Sequence, residues 1–239
     1  MLDCDKMQPE FDRYADHYSD ALRHPLLDGF AGHPEFYIHR KFELLRDFYR
    51  RRGMDTGVLA WLDLGCGQGD LLRLGKASFA QVAGCDLSGE MLTHCGDLTT
   101  RPQPSPSEIP YPTESFDLVT AVCVYHHVER QDRPRLTGEV WRVLRPGGLF
   151  SIIEHNPFNP AAQIIVRTLA MDANARLLRL GAARRLMREA RFKPVEGVYF
   201  LWLPESLYRK WGGIERRLER VPLGGQYALF GKKECAPTP

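Results

Sequence analysis

Along the chain the spacing of apolar residues changes character near residue 53. Before it the pattern is helical. In PEFYIHRKFELLRDFYRRRG (34–53), Tyr37, Lys41, Leu44, Leu45 and Phe48 fall on one face, and Gly53 stands where a helix takes a stop glycine. From residue 58 onward short apolar runs alternate with amphipathic stretches. VLAWLD (58–63), QVAGCD (81–86), FDLVTAVCV (116–124) and LFSIIE (149–154) read as buried strands. DLLRLGKAS, GEMLTH and PRLTGEVWRVLRPGG fit the helices between them, the last ending in the turn Arg145-Pro146-Gly147-Gly148. Strand and helix in alternation predict an α/β fold, a doubly wound and mostly parallel sheet covered on both faces.

Two segments break the rhythm. Residues 97–114 are rich in proline and read as an irregular connection with room for one very short edge strand. Residues 155–181 open with HNPFNP, two Asn-Pro turns, before a helical stretch. The C-terminal part reads as helix (AARRLMREA), strand (VEGVYFLWL), helix (PESLYRKWGGIERRLER) and strand (QYALFGK). Gly53 is the expected boundary between a helical N-terminal cap, 1–53, and a core, 54–239.

Composition narrows the function class. A 239-residue chain with 44% hydrophobic and 26% charged residues is an ordinary globular protein. A formal charge of +2 supplies no bulk attraction to nucleic acid or membrane. Cys4, Cys66, Cys85, Cys95, Cys123 and Cys235 are scattered without a CxxC pair, so free thiols are expected rather than disulfides or a zinc site. No signal-peptide core and no 18-residue apolar run is present, which predicts a cytoplasmic protein without a membrane span. The oligomeric state leaves no trace in the sequence.

The first strand runs into LDLGCGQGD (62–70). A glycine-rich turn between the first strand and first helix of a parallel sheet is where open α/β proteins hold nucleotide-like ligands. The dinucleotide fingerprint needs glycine or alanine where Asp70 stands, and a carboxylate there repels a pyrophosphate. The phosphate-binding loop fails too: the spacing to Gly75-Lys76 is one residue too long, and Ala77 replaces the hydroxyl residue. The loop therefore suits an adenosine-type ligand without phosphates, preferably cationic.

LDLGCGQGD, CDLSGEML (85–92), SFDLVTAVCVYHHV (115–128) and LRPGGLFSIIE (144–154), in that order, resemble the class I S-adenosylmethionine-dependent methyltransferases of small-molecule type. The resemblance covers roughly residues 59–155. It implies a Rossmann-like, seven-stranded sheet with an antiparallel C-terminal strand, and S-adenosyl-L-methionine as cofactor. It further implies that Asp63 orients the loop and helps hold the methionine ammonium, that Gly65 and Gly67 lie against the methionine and ribose, and that Asp86 accepts the ribose hydroxyls. Leu87 and Met91 would pack on the adenine. The family's usual acid for the adenine amino group has no counterpart at the expected spacing. Ser105 or Ser107 with backbone groups is preferred to Asp97 for that task. Tyr18, with Tyr14, would close over the cofactor, and Lys41 is a candidate for its carboxylate.

Methyl transfer is an in-line displacement helped chiefly by positioning. A hydroxyl nucleophile also benefits from a base. His126 and His127 follow the fourth strand and His155 follows the fifth, so these three are the candidate bases, with Glu154 as an orienting partner. Insertions at 156–180 and 204–222 would form a lid. Phe158, Tyr199, Phe200, Trp202 and Trp211 either form an aromatic wall around a small organic acceptor or belong to the core. Two rivals share the fold: an RNA or protein methyltransferase, suggested by the arginines from Arg167 to Arg191, and a non-methylating S-adenosylmethionine-binding protein.

Overall fold

The computed structural model describes residues 11–234; Cys4, Cys235 and the first ten residues of the expected cap lie outside them. A 3₁₀ turn, Asp12–His17, leads into α1 (Tyr18–Ala21), α2 (Pro25–Phe30) and α3 (Glu35–Arg50). There follow β1 (Ala60–Leu64), α4 (Asp70–Gly75), β2 (Gln81–Asp86), α5 (Gly89–Thr93), β3 (Thr99–Pro102), β4 (Phe116–Val122), α6 (Arg133–Val143) and β5 (Leu144–His155). The last part holds α7 (Pro160–Thr168), α8 (Leu180–Glu189), β6 (Phe192–Phe200), α9 (Glu205–Trp211), α10 (Glu215–Leu218) and β7 (Gln226–Lys233).

The strands form one sheet in the order β3-β2-β1-β4-β5-β7-β6. Neighbours from β3 to β5 pair in parallel, and β7 runs antiparallel to both β5 and β6. The sheet is the doubly wound one that the alternation predicts. Its winding reverses between β1 and β4, which opens a crevice at their carboxyl ends.

Boundaries differ from the sequence reading for local reasons. β1 starts at Ala60 because Thr56–Val58 forms a 3₁₀ turn, with the Gly57 amide donating to Asp55 Oδ1 at 2.8 Å. β5 begins at Leu144, and a register shift between Phe116 and Leu118 lets the Pro-Gly-Gly turn ride within it. The helix expected over 205–220 breaks at Gly212–Ile214 into a 3₁₀ turn.

Alternation along each strand splits the core into two layers. Leu62 and Leu64 of β1, Phe150 and Ile152 of β5, and Tyr227 and Leu229 of β7 face one side with Leu136 and Val140 of α6. Trp61, Ile153, Ala228 and Phe230 face the other, where they meet Phe42, Leu45 and Phe48 of α3. α3 ends as its glycine predicts. Gly53 adopts φ 64°, its amide donates to Arg50 O, and the Met54 amide donates to Tyr49 O, a Schellman stop. The buried face runs through Phe42, Leu45, Phe48 and Tyr49, with Leu44 only partly covered. Phe48 stacks on Phe230 with centroids 3.9 Å apart, and the buried Arg40 donates to Glu215 Oε2 at 2.6 Å. Gly53 thus marks a turn inside one continuous core.

Because α3 belongs to that core, Phe48→Ala should lower global stability by about 3–5 kcal/mol. Denaturant unfolding followed by tryptophan fluorescence checks this. Loss of N-terminal helix signal with an unchanged main transition would show instead a detachable cap.

Candidate active site

The crevice between β1 and β4 is floored by bent backbone. Gly65, Gly67 and Gly69 adopt φ of 68°, 53° and 82°, left-handed conformations that glycine reaches without cost. A side chain at Gly65 would put Cβ 2.5 Å from Val124 Cγ2, and at Gly69 2.5 Å from Leu98 Cδ1. At Gly67 it would meet nothing within 4 Å. Packing therefore demands two of these glycines, while the third leaves bare backbone facing open space. Asp70 begins α4, with Arg73 Nη1 bonded to its carboxylate at 2.8 Å.

Asp86, at the end of β2, holds this loop. The Gly67 amide donates to its Oδ2 at 2.8 Å and the Ser88 amide to its Oδ1 at 2.9 Å. Beyond it, Leu87 is exposed while Met91 is fully enclosed, which leaves Leu87 as the open member of the expected pair. The Gln103 amide donates to Asp86 O at 2.7 Å, bringing the proline-rich connection alongside. The Ser105 hydroxyl is buried there without a partner among the described residues. Asp97, the rejected alternative, stands on the surface paired with Lys76.

Asp63 is buried at the end of β1, and the Thr120 hydroxyl donates to its Oδ1 at 2.5 Å. Trp61 Nε1 fixes that hydroxyl in turn, at 2.8 Å. Burial pushes the Asp63 carboxyl up to about 7, against the bond from Thr120, with Asp86 adding to the rise and Lys41 opposing it. Lys41 is itself buried on α3, and its charge also acts on Cys123 and His155.

The three histidines gather at the carboxyl ends of β4 and β5, with ring centroids 4.2 Å apart for His126 and His127 and 5.4 Å apart for His126 and His155. Glu154 is fully buried; its Oε2 lies 2.5 Å from His126 Nδ1 and its Oε1 accepts the Tyr125 amide at 2.7 Å. Asp172, on the 3₁₀ turn Ala170–Asp172, meets the same cluster at 3.5 Å from His126 Nε2 and 3.3 Å from His127 Nε2. Burial opposes a charge on His126, but the two carboxylates outweigh it and hold its pKa well above the ordinary imidazole value. His155 moves the other way. Burial, then the neighbouring His126, pushes it down to about 4, so it is uncharged at neutral pH. Its Nε2 lies 3.7 Å from Cys123 Sγ, and Cys123 has φ 58°, a strained conformation at the head of this loop.

The N-terminal segment and the insertion cover both ends. Gln68 Nε2 donates to Ala15 O at 2.6 Å, and the Ser88 hydroxyl to Asp12 Oδ1 at 2.5 Å. The Phe11 ring meets His127 edge-on at 4.9 Å. Tyr14 and Tyr18 pack on Ile165, Leu169 and Met171 of the insertion. Burial, and then the charges of Cys123, Asp70, Asp86 and Asp172, raise the Tyr18 phenol. The expected aromatic wall does not form. Tyr199 and Phe200 belong to opposite core layers, and Phe158 and Trp211 are exposed.

Residues 62–152 match the methyltransferase domain family. This stretch is similar to the methyltransferase domains of class I, S-adenosylmethionine-dependent enzymes. The chain is 33% identical to a demethylmenaquinone methyltransferase of Symbiobacterium thermophilum over 162 residues, 62% of this chain and 59% of that protein. It is 32% identical to the 27-O-demethylrifamycin SV methyltransferase of Amycolatopsis mediterranei over 101 residues, 38% of this chain and 36% of the relative. It thus spans less than two thirds of the curated relatives it matches. A solved S-adenosylmethionine-dependent methyltransferase from Thermotoga maritima superposes with a TM-score of 0.68 at 17% identity, covering 94% of this chain and 99% of that one. Among the described residues no helix is long and apolar enough to cross a membrane.

Several residues escaped the sequence reading. Asp172 sits in an insertion without a motif and only folding brings it to the histidines. Gln68 and Asp12 act through contacts between distant segments. Thr120 is one apolar-looking position inside β4, and nothing local signals that its hydroxyl anchors Asp63.

The Asp63 pKa carries a sign that can be checked. Its folded value of about 7 exceeds the ordinary carboxyl value of about 4, so the folded state binds the extra proton between them. Stability from this group is complete below about pH 4 and is lost as pH rises through 7. Asp63→Asn, which stays neutral, should therefore gain on the wild type by on the order of 1 kcal/mol per pH unit across that window. Denaturation from pH 4 to 8 measures the difference, and a difference independent of pH contradicts it.

Proposed function

We propose that the chain is a cytoplasmic enzyme that transfers a methyl group from S-adenosylmethionine to a hydroxyl oxygen of a small organic acceptor. The observation that carries this reading is the placement, at the carboxyl ends of neighbouring strands, of bare backbone at Gly67 held by Asp86 and of the gathered imidazoles of His126, His127 and His155.

The residues present fit the cofactor. The open space at Gly67 admits a ligand against the chain, and the orphaned Ser105 hydroxyl lacks a partner that an adenine edge would supply. Each Asp86 oxygen has a second lone-pair site beyond the amide it already binds, enough for the ribose hydroxyls. Gly65 and Gly67 would border the methionine and ribose, with Asp63 toward the ammonium and Lys41 toward the carboxylate. Leu87, supported by Met91, would lie on the adenine, and Tyr18 would close the top. What S-adenosylmethionine supplies when bound is an activated methyl group on a sulfonium.

Among the three histidines, His126 is engaged by carboxylates at both ring nitrogens and has no site left to take a proton. His127 faces Asp172. His155 is neutral at physiological pH and is assigned as the base that accepts the acceptor's hydroxyl proton. Cap and insertion together exclude water from that transfer. Relatives named for demethylmenaquinone and demethylrifamycin support a small organic acceptor.

His155→Gln should lower kcat by about 10²–10⁴-fold with little change in S-adenosylhomocysteine affinity. Product formation across a panel of phenols and alcohols reads this out. A glutamine variant turning over at the wild-type rate removes the base from the reading.

A further inference from the structure

We propose that His126, His127 and Asp172 bind a divalent transition-metal ion, of the zinc or cobalt class, between the core and the 156–180 insertion. Asp172 Oδ1 lies 3.5 Å from His126 Nε2 and 3.3 Å from His127 Nε2, and one donor atom from each residue lies within 4.8 Å of the others. An ion bound tetrahedrally at roughly 2.0–2.2 Å has its donor atoms about 3.3–3.6 Å apart. Two of the three separations already have that length.

The surroundings match as well. A metal-ligating histidine usually gives its second ring nitrogen to a carboxylate, which fixes its tautomer and aims the other nitrogen at the ion. His126 does so: Nδ1 meets Glu154 Oε2 at 2.5 Å, and the Tyr125 amide holds Glu154 from the other side at 2.7 Å. Both imidazoles come from the short loop after β4, with the carboxylate from the 3₁₀ turn that the insertion lays across it. The cluster is enclosed, with side-chain exposures of 1% for His126, 18% for His127 and 7% for Asp172. Two imidazoles and one carboxylate favour zinc, cobalt or ferrous iron over magnesium or calcium. Three protein donors leave a position open, as in catalytic rather than structural sites. His155 stands beside it, its ring 5.4 Å from that of His126. On the functional reading above, and only there, the open position would take an oxygen donor of the acceptor.

Titration of the full chain, stripped with chelator, with Co²⁺ tests the site through visible d–d absorption and calorimetry, without cofactor or acceptor. One Co²⁺ per chain is expected, displaced by Zn²⁺, with a raised melting temperature. His127→Ala and Asp172→Asn should lose stoichiometric uptake while still binding S-adenosylhomocysteine, which shows them folded. Glu154→Gln, a positioning change, should weaken uptake about 10–100-fold. Absence of uptake by the wild type, or equal uptake by Asp172→Asn, overturns the site and leaves the methyl-transfer reading standing. Loss of turnover in His155→Gln with intact Co²⁺ uptake separates the two in the other direction.

Discussion

The Asp86 carboxylate ties the tips of two adjacent strands together. One oxygen takes the Gly67 amide from the loop after β1, and the other takes the Ser88 amide at the start of α5. A partly buried carboxylate that accepts hydrogen bonds from backbone amides is a strong local constraint, because those bonds are charge-assisted. It holds Gly67 at a left-handed φ with its Cα face toward open space. Floor, rim and cover then follow in order: the winding reverses between the paired strands β1 and β4 beneath the loop, Gln103 joins the rim beside Asp86, and the N-terminal segment closes down through Gln68 and Ser88.

The opposite end is governed by burial rather than by backbone geometry. Four ionisable groups, His126, His155, Glu154 and Asp172, share a poorly solvated space and settle into different states. Two flanking carboxylates favour a proton on His126, one that a metal at Nε2 would displace, while burial and then the charge of His126 keep His155 neutral. Such separation of similar groups into distinct protonation states is what acid–base chemistry at neutral pH requires. Asp172 reaches the cluster only because the insertion folds back over the sheet, so covering the site and completing it are one event.

Much of this was legible in the sequence, and the reasons are physical. The period change near Gly53, the alternating strand and helix runs, and the spacing of Gly65, Gly67 and Gly69 are local signals, and local signals survive folding. The family resemblance carried by LDLGCGQGD and three later motifs implied a seven-stranded sheet with an antiparallel C-terminal strand. Asp86 was read as a ribose acceptor, yet its bond to Gly67 spans two loops and leaves no mark in either. The aromatic wall failed because Tyr199 and Phe200 are neighbours on a strand and must point to opposite faces. Asp172 has no local motif around it, since only the tertiary fold sets it 3.3 Å from His127.

Calorimetric titration of the whole chain with S-adenosylhomocysteine, and separately with NAD⁺, bears most directly on the glycine loop as a seat for a phosphate-free adenosyl ligand. The account predicts one S-adenosylhomocysteine per chain, weakened by roughly 1–3 kcal/mol in Asp86→Ala, and no heat from NAD⁺. Binding of NAD⁺ while S-adenosylhomocysteine fails to bind, or an affinity indifferent to Asp86, would contradict it.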